Sequence, residues 1–339
     1  MKRNYYPFLD GLRALGFMFV YVAHIGQKYK TFYIAGKVGV TLFFIISSFL
    51  FSTYFISHVD LMNTVKAWIV YAFKRILKLY PIYVFVLLIE FVVGNYSFSK
   101  VLSHLFLLDA RQHYWTIPVM IQFYLLIPFV IFLLKKILKK GTLTVLSLLF
   151  FIFVISGIFY SQITLPFLKP TANQINILFY IPSFIIGIIM SLVYLTIINK
   201  KIQLSRSLYL FMLYIPIIVL IVLMPHSYKM FSLTKFSNNL FLPFSIFGFL
   251  WSSIILSLLL FKSNLCLFFE NKIIRYLGII SYSAYLIHIV VIKYTYLILP
   301  NSVLIGTVAG FIIVVSFSSL LYKFIEKPAS NLSRIFIKN

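Results

Sequence analysis

The amino-acid sequence predicts an all-α, polytopic transmembrane helix bundle of about ten spans with both termini cytoplasmic. Three observations predict it. The 339 residues are 62% hydrophobic and only 11% charged, with a mean hydropathy of +1.02, where soluble chains carry about 25% charged residues. Apolar runs near the ~20 residues that a bilayer-crossing helix needs recur from end to end. The basic residues, 30 Lys and Arg against 6 Asp and Glu, flank those runs unevenly.

The expected spans are 10–27, 36–57, 79–96, 117–134, 142–160, 175–198, 207–224, 241–261, 277–298 and 302–325. They are too long, and alternate too little, to be barrel strands. Pro118, Pro128, Pro182, Pro216 and Pro243 lie in or beside them and are expected to kink or end helices. No polar stretch is long enough for a separate soluble domain, so residues 1–339 read as one integral-membrane domain. With the N-terminus inside, the inner segments hold twenty basic residues and the outer ones eight, the usual positive-inside bias. The net charge of +24 is then a topology signal and excludes nucleic acid as the natural partner. Membrane lipid headgroups and an anionic cofactor remain as partners for the surplus charge.

Lys2 and Arg3 precede the first span as in a leader peptide. Asp10, Arg13 and His24 interrupt its apolar region, and no small-residue cleavage site follows, so it reads as a retained helix. The lone Cys266 leaves no intrachain disulfide and no cysteine metal cluster, and reads as a packing residue. No internal repeat is evident, which weighs against transporters built from two related halves.

Five stretches could carry chemistry. In FLDGLRALGFMFVYVAH (8–24), Arg13 and His24 stand about 16 Å apart along a helix. With Arg13 at one face of a ~30 Å hydrocarbon core, His24 falls near its middle. An ionisable group there is a functional-site hypothesis by default. Imidazole chemistry suits a general base or a transient acyl acceptor. Asp10 and Arg13, three residues apart, share a helix face and can pair, either as a helix-start cap or as a positioned cation. Lys74, Arg75 and Lys78 lie within about one helical turn, as flanking charge or as a phosphate clamp. HYWTIPVMIQFYLLIP (113–128) brings Trp115 at an interface, then Gln122 and Tyr124 inside a span, where a buried amide needs a partner. LGIISYSAYLIH (277–288) crowds Ser281, Tyr282, Ser283 and Tyr285 ahead of a second embedded histidine, His288. FIEKP (324–328) closes the last span, where the proline is expected to stop the helix.

Taken in order, these stretches resemble the membrane acyltransferase-3 family, which includes bacterial O-acetyltransferases of surface glycans. FLDGLRA with Arg13 and His24 resembles its opening Arg/Lys, ten residues, His signature. GVTLFFIISSFLF (39–51), RILKLYP (75–81), WTIPVMIQFYLLIP (115–128), LGIISYSAYLIH and IEKP resemble its later motifs in sequence. Four positions depart from the pattern: Thr41 stands for a usual Asp, Ser48 for Gly, Lys78 for the second Arg, and Met120 for a Glu that many members carry.

The resemblance implies a multi-pass protein of the bacterial plasma membrane. It would move an acyl group, acetyl from acetyl-CoA, to a hydroxyl of a cell-surface or lipid-linked carbohydrate, with no metal. It implies His24, Arg13 and Asp10 as catalytic residues and Arg75, Lys78 and Lys74 as holders of the CoA phosphates. Trp115, Gln122, Tyr124, Tyr282 and His288 would then contact substrate. Association into a homo-oligomer is compatible with it, and no extracellular esterase-like domain is expected before the chain ends at Asn339. Two other classes stay open: a transporter or flippase of a lipid-linked glycan, and a catalytically degenerate membrane assembly protein, for which Met120 is the main argument.

Overall fold

The computed structural model describes residues 5–25, 33–58, 64–110, 112–138, 141–162, 175–223, 241–299 and 302–335. Among these residues helix is the sole regular element. The order is α1 (Pro7–Ile25), α2 (Tyr33–Ser57), α3 (Val65–Val92), α4 (Phe98–Leu105), a 3₁₀ turn (Gln112–Trp115), α5 (Thr116–Leu138) and α6 (Thr142–Gln162). A second 3₁₀ turn (Ile177–Tyr180) leads into α7 (Ile181–Asn199), α8 (Arg206–Val222) and α9 (Phe241–Leu260). Then come α10 (Asn264–Phe269), α11 (Lys272–Ile279), α12 (Ser281–Ile298), α13 (Val303–Leu321), a π turn (Tyr322–Glu326) and α14 (Lys327–Ile335). Side-chain oxygens fix several starts: Thr64, Ser97, Ser205, Ser263 and Ser302 each accept a backbone N–H three residues on, which satisfies groups that the first turn leaves unpaired.

Each expected span overlaps helix, with residues 26–27 and 224 outside the described ones; among the described residues six helices are long and apolar enough to cross a bilayer, or seven if α11 and α12 count as one. Several ends move. The expected 79–96 is the second half of a 28-residue helix, α3, that begins at Val65 and keeps Pro81 inside it. The expected 277–298 is broken, because α11 and α12 meet at 70°. α8, 17 residues from Arg206 to Val222, is shorter than a full span. Pro328 does not stop the last helix. The helix passes through the π turn without a break and continues with Pro328 second in α14.

Small residues let the central helices approach closely. A Cβ on Gly39 would strike the Gly16 carbonyl, and one on Gly187 would strike the Ser48 side chain. Such contacts hold helices together where lipid supplies no hydrophobic drive between them. Buried hydroxyls and indoles then find carbonyls on neighbouring helices: Ser48 donates to Phe184 O at 2.7 Å, and Trp251 to Val38 O at 3.0 Å. The outer surface keeps large apolar side chains exposed, among them Phe129 and Leu133 on α5 and Leu304 and Ile305 on α13. That surface fits a hydrocarbon solvent, and the protein is a multi-pass membrane protein.

At the foot of α1 the chain is clamped. A Cβ on Gly278 of α11 would overlap the Asp10 carbonyl, and one on Gly11 would overlap the carbonyl of Phe269. Glycine at both positions lets α1 settle against α10 and α11 with no side chain between them. This contact sets where Asp10 and Arg13 stand.

Candidate active site

A cavity of about 640 Å³ opens among α1, α2, α3, α5, α12 and the π turn, within the size range of small-molecule sites. Four cations line it, Arg13, Arg75, Lys78 and Lys327, against two carboxyl groups, Asp10 and Glu326. Exposed Tyr5, Lys78, Lys327 and Asn331 mark one end; Val40, Thr116 and Tyr285 at the other are buried. The chamber is therefore a basic pocket with a closed floor.

Arg13 donates to Asp10 Oδ1 at 2.5 Å, and the Tyr5 hydroxyl donates to Asp10 Oδ2 at 2.5 Å. Arg275 donates to that same Tyr5 oxygen at 2.9 Å. Tyr5 lies ahead of α1, and burial, followed by its bond to Asp10, raises its pKa, so it stays a neutral donor. The Arg75 guanidinium stacks over Phe51 at 4.6 Å and over Tyr71 at 5.3 Å. Its Nε is buried without a hydrogen bond among the described residues. A buried donor of that kind costs free energy while it has no acceptor, and the Arg75 side chain lines a pocket that attracts anions.

On the far wall Ser283 donates to Glu326 Oε2 at 2.8 Å. Glu326 reaches the cavity from the π turn, a helix distortion that often accompanies function. Tyr282 lines the cavity and donates to Leu79 O at 2.7 Å; Tyr124 and Met120 also line it.

The remaining predicted residues stand elsewhere. Lys74 is not a cavity residue. Trp115 stacks on Tyr180 with centroids 4.6 Å apart. Gln122 donates to Ile175 O at 2.8 Å and accepts from Ile177 N at 3.0 Å, which latches the chain ahead of α7. His24 and His288 lie beyond the cavity floor. There Tyr285 donates to the His113 carbonyl at 2.7 Å, and Thr116 donates to the Tyr285 oxygen at 3.1 Å. Behind that layer three imidazoles meet: His24 and His288 with centroids 4.8 Å apart, and His113 and His288 also 4.8 Å apart.

Three functional candidates were not singled out from sequence, Glu326, Thr116 and His113, and Tyr285 was noted there only within its crowded stretch. Glu326 had a usable signal, as one of 6 acidic residues in an apolar chain and one lying right at the end of the expected span 302–325. His113 had a comparable one, as one of 6 histidines and the first residue of the 113–128 stretch, whereas Thr116 had none, since hydroxyls are common throughout.

The helices and the site define a membrane protein with a cation-lined chamber closed by a hydroxyl layer, and a histidine cluster behind it. The family profile described as "Acyltransferase domain" matches residues 6–323, and the chain belongs to this acyltransferase-3 family. A Staphylococcus aureus (strain COL) protein named "Putative O-acetyltransferase" is 24% identical over 195 residues, covering 46% of this chain and 31% of that protein. O-acetyltransferase OatA of S. aureus (strain NCTC 8325 / PS 47) is 28% identical over 177 residues, covering 43% of this chain and 28% of OatA. The chain thus spans under a third of the length of these relatives. No solved structure matches it.

Proposed function

We propose that this protein is an O-acetyltransferase that moves acetyl from acetyl-CoA to a hydroxyl of a cell-surface or lipid-linked carbohydrate in a bacterial plasma membrane. The observation that carries the reading is the convergence of Arg13, Arg75 and Lys78 on one chamber, one closed layer away from His24. Arg75 and Lys78 hold the phosphates of the donor, and Arg13, steadied by Asp10, orients its thioester end. His24 takes the acceptor's proton or carries the acetyl group. The Tyr285–Thr116 layer parts to bring the thioester to the imidazole. The excess of basic residues on the inner segments orients both termini, and the chamber mouth, toward the cytoplasm across about ten spans. Donor inside and acceptor outside is then the natural division.

The test is acetyl transfer in membranes carrying His24→Ala at normal expression. A general base contributes about 10²–10⁴-fold, so turnover should fall by at least two decades while acetyl-CoA binding persists. Turnover within threefold of wild type refutes the role. The closed floor favours one second reading, a membrane protein that binds an anionic ligand in the chamber without transferring a group. That reading predicts binding lost in Arg75→Met with no acetyl transfer from the wild-type protein.

A further inference from the structure

The hydrogen bonds of the histidine cluster decide where its protons sit. His288 Nδ1 lies 2.6 Å from Tyr285 O, and a carbonyl can only accept, so that nitrogen carries a proton. His24 Nδ1 lies 2.9 Å from Val20 O and must carry one for the same reason. The same His24 Nδ1 lies 3.1 Å from His288 Nε2. Two N–H groups cannot face each other there, so His288 Nε2 presents its lone pair and accepts. His288 is therefore neutral, and in the neutral form of His24 it is Nε2 that is left with a lone pair. It has no hydrogen-bond partner among the described residues.

Neither neighbour can take over that task. His288 is fully buried, with both nitrogens engaged. His113 donates from Nε2 to Leu286 O at 2.9 Å, and its Nδ1 is buried without a hydrogen bond among the described residues. Of the three rings, His24 is the least buried.

We propose that His288 is a positioning residue that locks His24 in the Nδ1–H tautomer and aims its Nε2 lone pair at the acceptor hydroxyl. This rests on the acetyl-transfer reading for the reaction, though not for the tautomer. In that reaction the acceptor's O–H proton moves to His24 Nε2 as its oxygen bonds to the acyl carbon. The carbon–sulfur bond then breaks, and the thiolate of CoA leaves and takes that proton back. While His24 is an imidazolium, its Nδ1–H bonds to Val20 O and His288 Nε2 become charge-assisted and stronger. His288 therefore acts more on the transition state than on the ground state, which is a kcat effect.

The experiment uses the full chain in lipid nanodiscs, labelled with ¹⁵N-histidine, with the His24 signals assigned by their loss in His24→Ala. Wild type should show His24 protonated at Nδ1. His288→Leu should show a mixture of tautomers, with kcat down about a hundredfold and donor KM within threefold. His288→Gln keeps an acceptor oxygen near the place of Nε2, and should recover at least tenfold over the Leu variant. Unchanged acetyl-CoA binding by both variants separates this from misfolding. A wild-type spectrum with the His24 proton on Nε2 overturns the proposal whatever the activity. So does a His288→Leu kcat within threefold of wild type, or a Gln variant no better than Leu. If wild type transfers no acetyl group, the reaction assignment fails on that count, while the spectrum still decides the tautomer.

Discussion

Replacing Arg75 by Met tests the chamber most directly. Met keeps an unbranched apolar body to fill the space against Phe51 and Tyr71, and loses the guanidinium. Two effects on stability oppose each other. The cation–π contacts are worth about 1 kcal/mol, while the unpartnered buried Nε costs about 1–3 kcal/mol. The folded protein should therefore melt within a few degrees of wild type. The donor loses at least one charge-assisted bond to phosphate, worth about 1.5–3 kcal/mol, which is roughly 10–150-fold in Kd at 1.4 kcal/mol per decade. Arg75→Lys keeps the charge without the fork and should fall between. The assay is acetyl-CoA calorimetry on protein in nanodiscs, with initial rates alongside. A donor Kd within threefold of wild type in the Met variant would refute the phosphate-holding role. So would a drop confined to kcat.

Two further outcomes follow from local packing. Gly278→Ala drives a methyl into the Asp10 carbonyl, so unfolding should become easier by about 1–3 kcal/mol, the usual cost of overpacking, with acetyl-CoA binding weakened as Arg13 shifts. Among the described residues Gly36→Ala meets Ala23 Cβ alone, at 3.3 Å, and should be mild in the same thermal melts. Cys266 is buried in α10, outside the candidate spans, and burial followed by the nearby Glu270 carboxylate pushes its thiol up to about 11. Iodoacetamide at neutral pH should therefore label it about a hundredfold more slowly than an unhindered thiol, because only the thiolate reacts. Rapid labelling of folded protein at pH 7 would contradict this.

The charged part of the site was legible before any coordinates. Asp10, Arg13, Arg75 and Lys78 are conspicuous because ionised groups are rare in an apolar chain, and all four line the chamber. Gln122 was equally conspicuous, and it serves the backbone at Ile175 and Ile177 instead. A buried amide must be satisfied, and sequence does not say by whom. His24 and His288 were each visible as embedded histidines. Their bond to each other, 264 positions apart in the chain, was not.

The sequence alone determined that this is an all-helical membrane protein and which apolar runs become helix. Both follow from local composition and from the need to satisfy every backbone group within its own segment in lipid. It also supplied the ordered motifs by which the chain belongs to its family. Tertiary structure alone decided which side chains share a chamber and where α11 turns away from α12. It also decided that Tyr285 and Thr116 close the floor, and which imidazole nitrogen is left with a lone pair. Those outcomes depend on distances between helices remote in sequence, and on close glycine contacts such as Gly278 on Asp10, which no local pattern encodes.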